Sequence, residues 1–110
     1  MEQVDWISKY ASDVVCVSTA PSAAESSRML ELPGRGYPVA QFDESGAVRQ
    51  VVLDLFDAAE DLGRTVSGDA IMQWLLGPTT YLSGSRPFDL LISDPERVTW
   101  AACSAWGVQW

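Results

Sequence analysis

Apolar residues recur every three or four positions over residues 48–62. Val48, Val51, Val52, Leu55, Phe56, Ala59 and Leu62 fall on one side, and Arg49, Asp54, Asp57, Glu60 and Asp61 on the others. That spacing predicts an amphipathic helix, with Gly63 as its left-handed stop. Ala70, Ile71, Trp74 and Leu75 repeat the pattern in a second helix, which Ser67 caps and Gly77-Pro78 ends. Arg86-Pro87 opens a short third helix with Phe88, Leu90 and Leu91 turned inward, since proline fits the first helical position. Asp94 as cap and Pro95 behind it then open a last helix, with Val98, Ala101, Ala102 and Ala105 on one stripe. The expected core is Val52, Leu55, Phe56, Trp74, Leu75, Leu90, Leu91 and Val98.

Ahead of residue 48 the pattern changes. The β-branched run over residues 14–19 predicts a strand. Residues 37–42 alternate Tyr37, Val39 and Gln41 against Pro38, Ala40 and Phe42, which predicts a second extended segment, closed by a turn at Asp43-Glu44-Ser45-Gly46. Val4, Ile7 and Ala11, with Trp6 and Tyr10, fit a short helix, and residues 21–30 fit another, although their serines compete with the helical backbone. The run Pro33-Gly34-Arg35-Gly36-Tyr37-Pro38 breaks any helix. It divides an N-terminal segment, residues 1–36, from a helical domain, residues 37–110. The expected fold is α+β and mainly α: about four helices in residues 48–106, a short N-terminal helix, and one or two short strands. A chain of 110 residues is long enough for one core and too short for two large domains.

Charge narrows the partners. Seven Lys plus Arg stand against fifteen Asp plus Glu, a formal net charge of −8, which disfavours a phosphate backbone and favours a basic or protein partner. The imbalance is even, −4 in residues 1–48 and −4 in residues 49–110, so no single acidic block stands out. Without histidine there is no Ser-His-Asp or Cys-His arrangement and no histidine metal site. Two cysteines, Cys16 and Cys103, cannot make a four-sulfur zinc site within one chain. No catalytic motif converges among the remaining Asp, Glu, Ser, Cys and Tyr residues, so an enzyme is not expected, nor a cofactor. The acidic start and short apolar runs read neither as a secretory signal nor as a membrane span. A cytoplasmic protein with free, largely buried thiols is the expectation.

The segment from Tyr37 onward carries a further pattern: Tyr37-Pro38-Val39-Ala40-Gln41-Phe42-Asp43 with Gly46, then Trp74-Leu75, then Pro78 to Leu82, and most of all Leu82-Ser83-Gly84-Ser85-Arg86-Pro87-Phe88-Asp89-Leu90-Leu91. In order and spacing these resemble the toxin-binding domain of the Xre/MbcA/ParS family of bacterial antitoxins, over about two thirds of the chain. The resemblance implies a non-enzymatic module that neutralises a toxin, commonly one of the NAD-degrading RES type, by occluding its active site. It also implies homodimers. Members of the family commonly carry an N-terminal helix-turn-helix that binds their own promoter. Here residues 1–36 hold only Lys9, Arg28 and Arg35 against five carboxylates, which argues against DNA binding and against a repressor. Physically, Gly84 suits a turn, Arg86 offers a planar fork to nearby carbonyls, and Pro87, Leu90 and Leu91 set and bury a short helix.

Partner-binding candidates come from two places. Trp100, Trp106 and Trp110 crowd the last eleven residues, and tryptophan serves binding hot spots and cores alike. Asp57, Glu60 and Asp61 form an acidic helix face, which reads as a solvated surface or as one that meets a partner's lysines and arginines. Gln41, Phe42, Trp74, Leu82, Gly84, Pro87, Leu90 and Leu91 are assigned to the motif itself. The competing function is that of a small acidic inhibitor, such as a phage-encoded defence antagonist that mimics nucleic acid.

Overall fold

A computed structural model describes residues 11–22, 28–63 and 67–107. The expected N-terminal helix, apart from Ala11, and Trp110 lie outside the described residues, as do residues 23–27 of the second N-terminal helix. Of that helix, residues 21–22 and 28–30 are described and are not helical.

The fold is α+β and mainly α. Among the described residues three α-helices carry it: α1 (Gln50–Asp61), α2 (Gly68–Leu76) and α3 (Pro95–Trp106). Three 3-10 turns link them to the rest: η1 (Val39–Gln41), η2 (Thr80–Leu82) and η3 (Pro87–Leu90). Strand β1 (Cys16–Val17) pairs antiparallel with β2 (Tyr37–Pro38), Cys16 opposite Pro38 and Val17 opposite Tyr37.

The helix expected over residues 48–62 is α1, shortened because Arg49 is extended at its N-cap and Val48 forms an isolated bridge with Phe42. Ser67 and Asp94 occupy the N-cap positions of α2 and α3, but neither side chain closes a capping bond. The helix expected at Arg86-Pro87 is the single turn η3, with Pro87 at its start. Gly63 and Gly107 take left-handed conformations just past α1 and α3, as helix stops do.

The extended segment expected over residues 37–42 lasts only through Pro38 before the chain curls into η1. Strand alternation sends neighbouring side chains to opposite faces. Here Gln41 and Phe42 are both buried, and the curl allows it. The strand expected over residues 14–19 is likewise cut to two residues, because Val15 and Val17 face solvent rather than a second layer. Val39 N–H still reaches the Val15 carbonyl at 2.9 Å and continues the pairing. At Asp43 the expected turn forms: its carboxylate accepts from the Ser45 N–H at 2.8 Å and the Ser45 hydroxyl at 2.6 Å.

The core sits where α1, α2 and α3 meet, around Val52, Leu55, Ile71, Met72, Leu75, Leu76, Leu91 and Val98. Buried Ala58 and Ala59 on α1 and Ala101 and Ala102 on α3 are small enough for close helix approach, and α1 packs along α3. Phe56 is buried as expected, whereas Trp74 and Leu90 are only half-buried at the edge. Ala11, Val14, Leu30 and Leu32 belong to the same core, so the chain on either side of the break at residues 33–38 shares one interior.

Two glycines make the close approaches that this sharing requires. A β-carbon on Gly36, at φ +105°, would lie 2.3 Å from the Val17 carbonyl oxygen, and one on Gly68 would lie 2.0 Å from that of Met29. Only a hydrogen fits at either place. Among the described residues no helix is long and apolar enough to cross a membrane.

Candidate functional site

The segment that most distinguishes the sequence, residues 82–91, forms with residues 79–81 a hydrogen-bonded corner between α2 and α3. Thr79 N–H donates to the Ser85 carbonyl at 3.2 Å, Gly84 N–H to the Thr79 carbonyl at 2.8 Å, and Ser85 N–H to that of Leu82 at 3.1 Å. Gly84 is left-handed, as the turn required, and Ser83 before it is also left-handed, at φ 57°. Leu82 and Pro87 are buried and pin the corner to the core, followed by Leu91. Phe88 and Leu90 are half-buried against the same core.

Arg86 meets two carboxylates, one within the corner and one from the N-terminal part of the chain. Its guanidinium donates to Asp89 at 2.6 and 3.0 Å and to Asp13 at 2.9 and 3.2 Å. The planar fork thereby ties the corner to the N-terminal part of the chain. Its carbon Cζ also lies 6.0 Å from the Phe88 ring centroid. The two carboxylates raise the Arg86 pKa further above its ordinary value, and the Arg86 hydrogen bond holds the Asp13 carboxyl below the usual range.

The acidic face of α1 is partly occupied from within. Arg28 donates to Asp57 and, at 2.8 Å, to Glu60. Asp61 has no ion pair among the described residues. Arg35 donates to the carbonyls of Ala11, at 2.9 Å, and Val14, and Arg49 donates to that of Ala40 at 3.0 Å. Four of the seven cations therefore serve the fold. Sequence reasoning assigned no role to Arg28, Arg35 or Arg49, because their partners lie 9 to 32 residues away.

The tryptophans separate into two groups. Trp106 meets Trp74 edge to face, ring centroids 5.2 Å apart, at the margin of the core. Trp100 is 54% exposed and stands edge to face with Tyr81, 42% exposed, at 5.9 Å. That pair bridges α3 and the corner, and places two large rings in solvent next to the motif. Tyr81 lies in the Pro78–Leu82 stretch of the motif, but no partner-binding role was assigned to it, since it has no periodic partner in the sequence.

A groove of about 460 Å³ opens beside the other pair. Ala59 and Leu62 form one wall, Ala70, Ile71 and Trp74 the second, and Ala105 and Trp106 the third. Ala105, expected on the buried stripe of α3, is exposed to this groove.

Cys16 and Cys103 are free and half-buried. Burial pushes both thiols up, and at Cys103 the negative charges of Asp54 and Asp61 add to it, so neither is primed as a nucleophile. Among the described residues no group of three carboxylate or thiol side chains is placed to hold a metal ion. Comparison of the chain with protein-family profiles, with curated protein sequences and with solved structures finds no match.

Proposed function

We propose that the chain is an antitoxin-like protein-binding module that neutralises a partner toxin, of the NAD-degrading RES type, by stoichiometric occlusion in the cytoplasm. One observation carries the reading. The last of the segments that resemble the antitoxin motif builds a hydrogen-bonded corner, and Tyr81 in it stands exposed against Trp100 of α3. Exposed aromatics on a rigid support lose little conformational entropy on binding and are favoured hot spots. The buried members of the motif, Leu82, Pro87 and Leu91, hold that face in place.

The electrostatics favour this reading over the nucleic-acid ones. Arg28, Arg35, Arg49 and Arg86 are engaged within the chain, which leaves few cations for a phosphate backbone. Asp13, Asp57, Glu60 and Asp89 are each paired with an arginine, which interrupts the unbroken negative stripe that a mimic of nucleic acid needs.

Coexpression with the product of the neighbouring gene tests the proposal. The expected result is a stable complex and rescue of growth with preserved cellular NAD, both lost in the Tyr81→Ala, Trp100→Ala double variant. A neighbour that is harmless alone and does not co-purify would overturn it.

A further inference from the structure

We propose that the groove between α1, α2 and α3 is a second docking site and that it takes a basic amphipathic helix of a partner protein. The proposal does not rest on the antitoxin reading, since neither Tyr81 nor Trp100 lines the groove.

The side chains that line it are apolar: Leu62 and the Trp74–Trp106 pair present the larger surfaces, Ile71 and Ala59 form a buried floor, and the small Ala70 leaves the opening clear. A volume of about 460 Å³ lies within the roughly 300–1,000 Å³ of pockets that hold a small ligand or a few anchoring side chains. An open apolar groove between helices is the geometry that receives the apolar face of another helix.

Among the described residues, the charged side chains at the rim are acidic and favour a basic partner. Asp61 ends α1 beside the lining residue Leu62, is exposed, and has no ion pair among the described residues. Asp69 precedes the lining residue Ala70 in the first turn of α2, where it offsets the positive end of that helix. The fields of Asp54 and Asp61 reach Cys103, two residues before the lining residue Ala105. Both α1 and α3 run their C-terminal ends to the groove, and neither has a basic residue in its last turn. The partial negative charge of two helix ends therefore adds to the carboxylates.

A second copy of this chain, with net charge −8 and the same rim, would be repelled. Residues 108–110, which follow Gly107, carry no cation to meet the rim. A helix with lysine or arginine flanking an apolar stripe complements both walls and rim, and charge complementarity of this kind governs specificity and on-rate.

The test is a titration of the full chain with a synthetic, tryptophan-free Lys/Leu amphipathic peptide, followed by the protein's tryptophan emission, against a peptide of the same composition with its periodicity scrambled. The expected result is saturable binding that the scrambled peptide weakens about tenfold or more. Asp61→Lys and Ala70→Lys, both at exposed positions, should weaken it to a similar degree with thermal unfolding unchanged. Glu96→Lys, the same charge change as Asp61→Lys but at the opposite end of α3, should weaken it about twofold or less.

Equal losses from Asp61→Lys and Glu96→Lys would reduce the effect to bulk charge attraction and overturn the proposal, as would absence of binding. Binding that appears only in Trp110→Ala would assign the groove to the chain's own end. Self-association of the free chain that Ala70→Lys abolishes would assign it to a second copy.

Discussion

The side-chain amide of Gln41 closes both backbone hydrogen bonds of Leu30. Its Oε1 accepts from the Leu30 N–H at 2.5 Å and its Nε2 donates to the Leu30 carbonyl at 2.9 Å, with both residues fully buried. The glutamine acts as one rung of a strand ladder, supplied by a side chain. Gln41→Met keeps the volume and leaves a buried donor and acceptor unpaired, each worth about 1–3 kcal/mol. Urea unfolding should show a loss of about 2–5 kcal/mol. Gln41→Glu adds a sign. A carboxylate accepts from the N–H but repels the carbonyl, whereas a protonated carboxyl satisfies both. The folded-state pKa of that glutamate is thus raised, and the stability it contributes is present below the unfolded value of about 4.3 and lost as pH rises through the folded one. Relative to Gln41→Met, Gln41→Glu should be more stable at pH 4 than at pH 7, and the reverse order would refute the amide's role.

Gln41 also marks how far the sequence was legible. Its place in the aromatic-Pro-x-x-Gln-Phe pattern was visible, but its partner was not, because a contact across eleven residues leaves no periodic trace. The three long helical patterns were legible for the opposite reason: each is local, and burial of Val52, Leu55, Ile71, Leu75 and Val98 follows from spacing alone. Alternation misled at residues 37–42, where the chain leaves the strand after Pro38 and buries Gln41 and Phe42 together. Of the candidate site, Trp100 was legible as one of three tryptophans crowded into the last eleven residues. Tyr81 and the groove depend on how α3 meets the corner and the C-terminal half of α1, which no single segment encodes.

Gly68→Ala sets helix propensity against packing. Alanine is about 1 kcal/mol better than glycine inside a helix, and Gly68 is the first residue of α2. Its β-carbon would nevertheless stand 2.0 Å from the Met29 carbonyl oxygen, a backbone atom that moves only with its segment. Overpacking of this kind costs about 1–3 kcal/mol. The variant should therefore gain nothing from alanine's helix propensity and melt no higher than the parent, while Gly63→Ala, left-handed but with nothing nearby, should lose about 1–2 kcal/mol to backbone strain. Calorimetric melts of the two decide it: a Gly68→Ala protein more stable than the parent would mean that the segment at Met29 yields freely.

The Arg86–Asp13 bridge gives a pH dependence. The Arg86 hydrogen bond holds the Asp13 carboxyl below its ordinary value. A depressed folded-state pKa means that the contribution is fully present above the unfolded pKa, about 3.9, and lost as pH falls through the folded one. The parent should melt above Asp13→Asn at pH 6, and the gap should close as the pH is lowered past 3.9. High salt should narrow the gap at pH 6, since Asp13 is largely exposed. A gap that persists unchanged at low pH would show that the asparagine disturbs something other than the ion pair.

The two aromatic pairs should respond oppositely to truncation. Trp106 meets Trp74 against the core, so Trp106→Ala removes packing from both helices and should cost about 2–4 kcal/mol, somewhat below a fully buried tryptophan. Trp100 contributes an exposed ring and an edge-to-face contact with Tyr81, a contact worth about 0.5–1.5 kcal/mol, so Trp100→Ala should fall within that smaller range. A folding double-mutant cycle with Tyr81→Ala measures the coupling directly. Partner binding should invert the order, with Trp100→Ala giving the larger loss in titrations with a folded partner. An exposed ring that matters little to folding and much to association is held in place for the association. If Trp100→Ala instead destabilises the chain as much as Trp106→Ala, the pair belongs to the fold, and the binding face must be sought elsewhere.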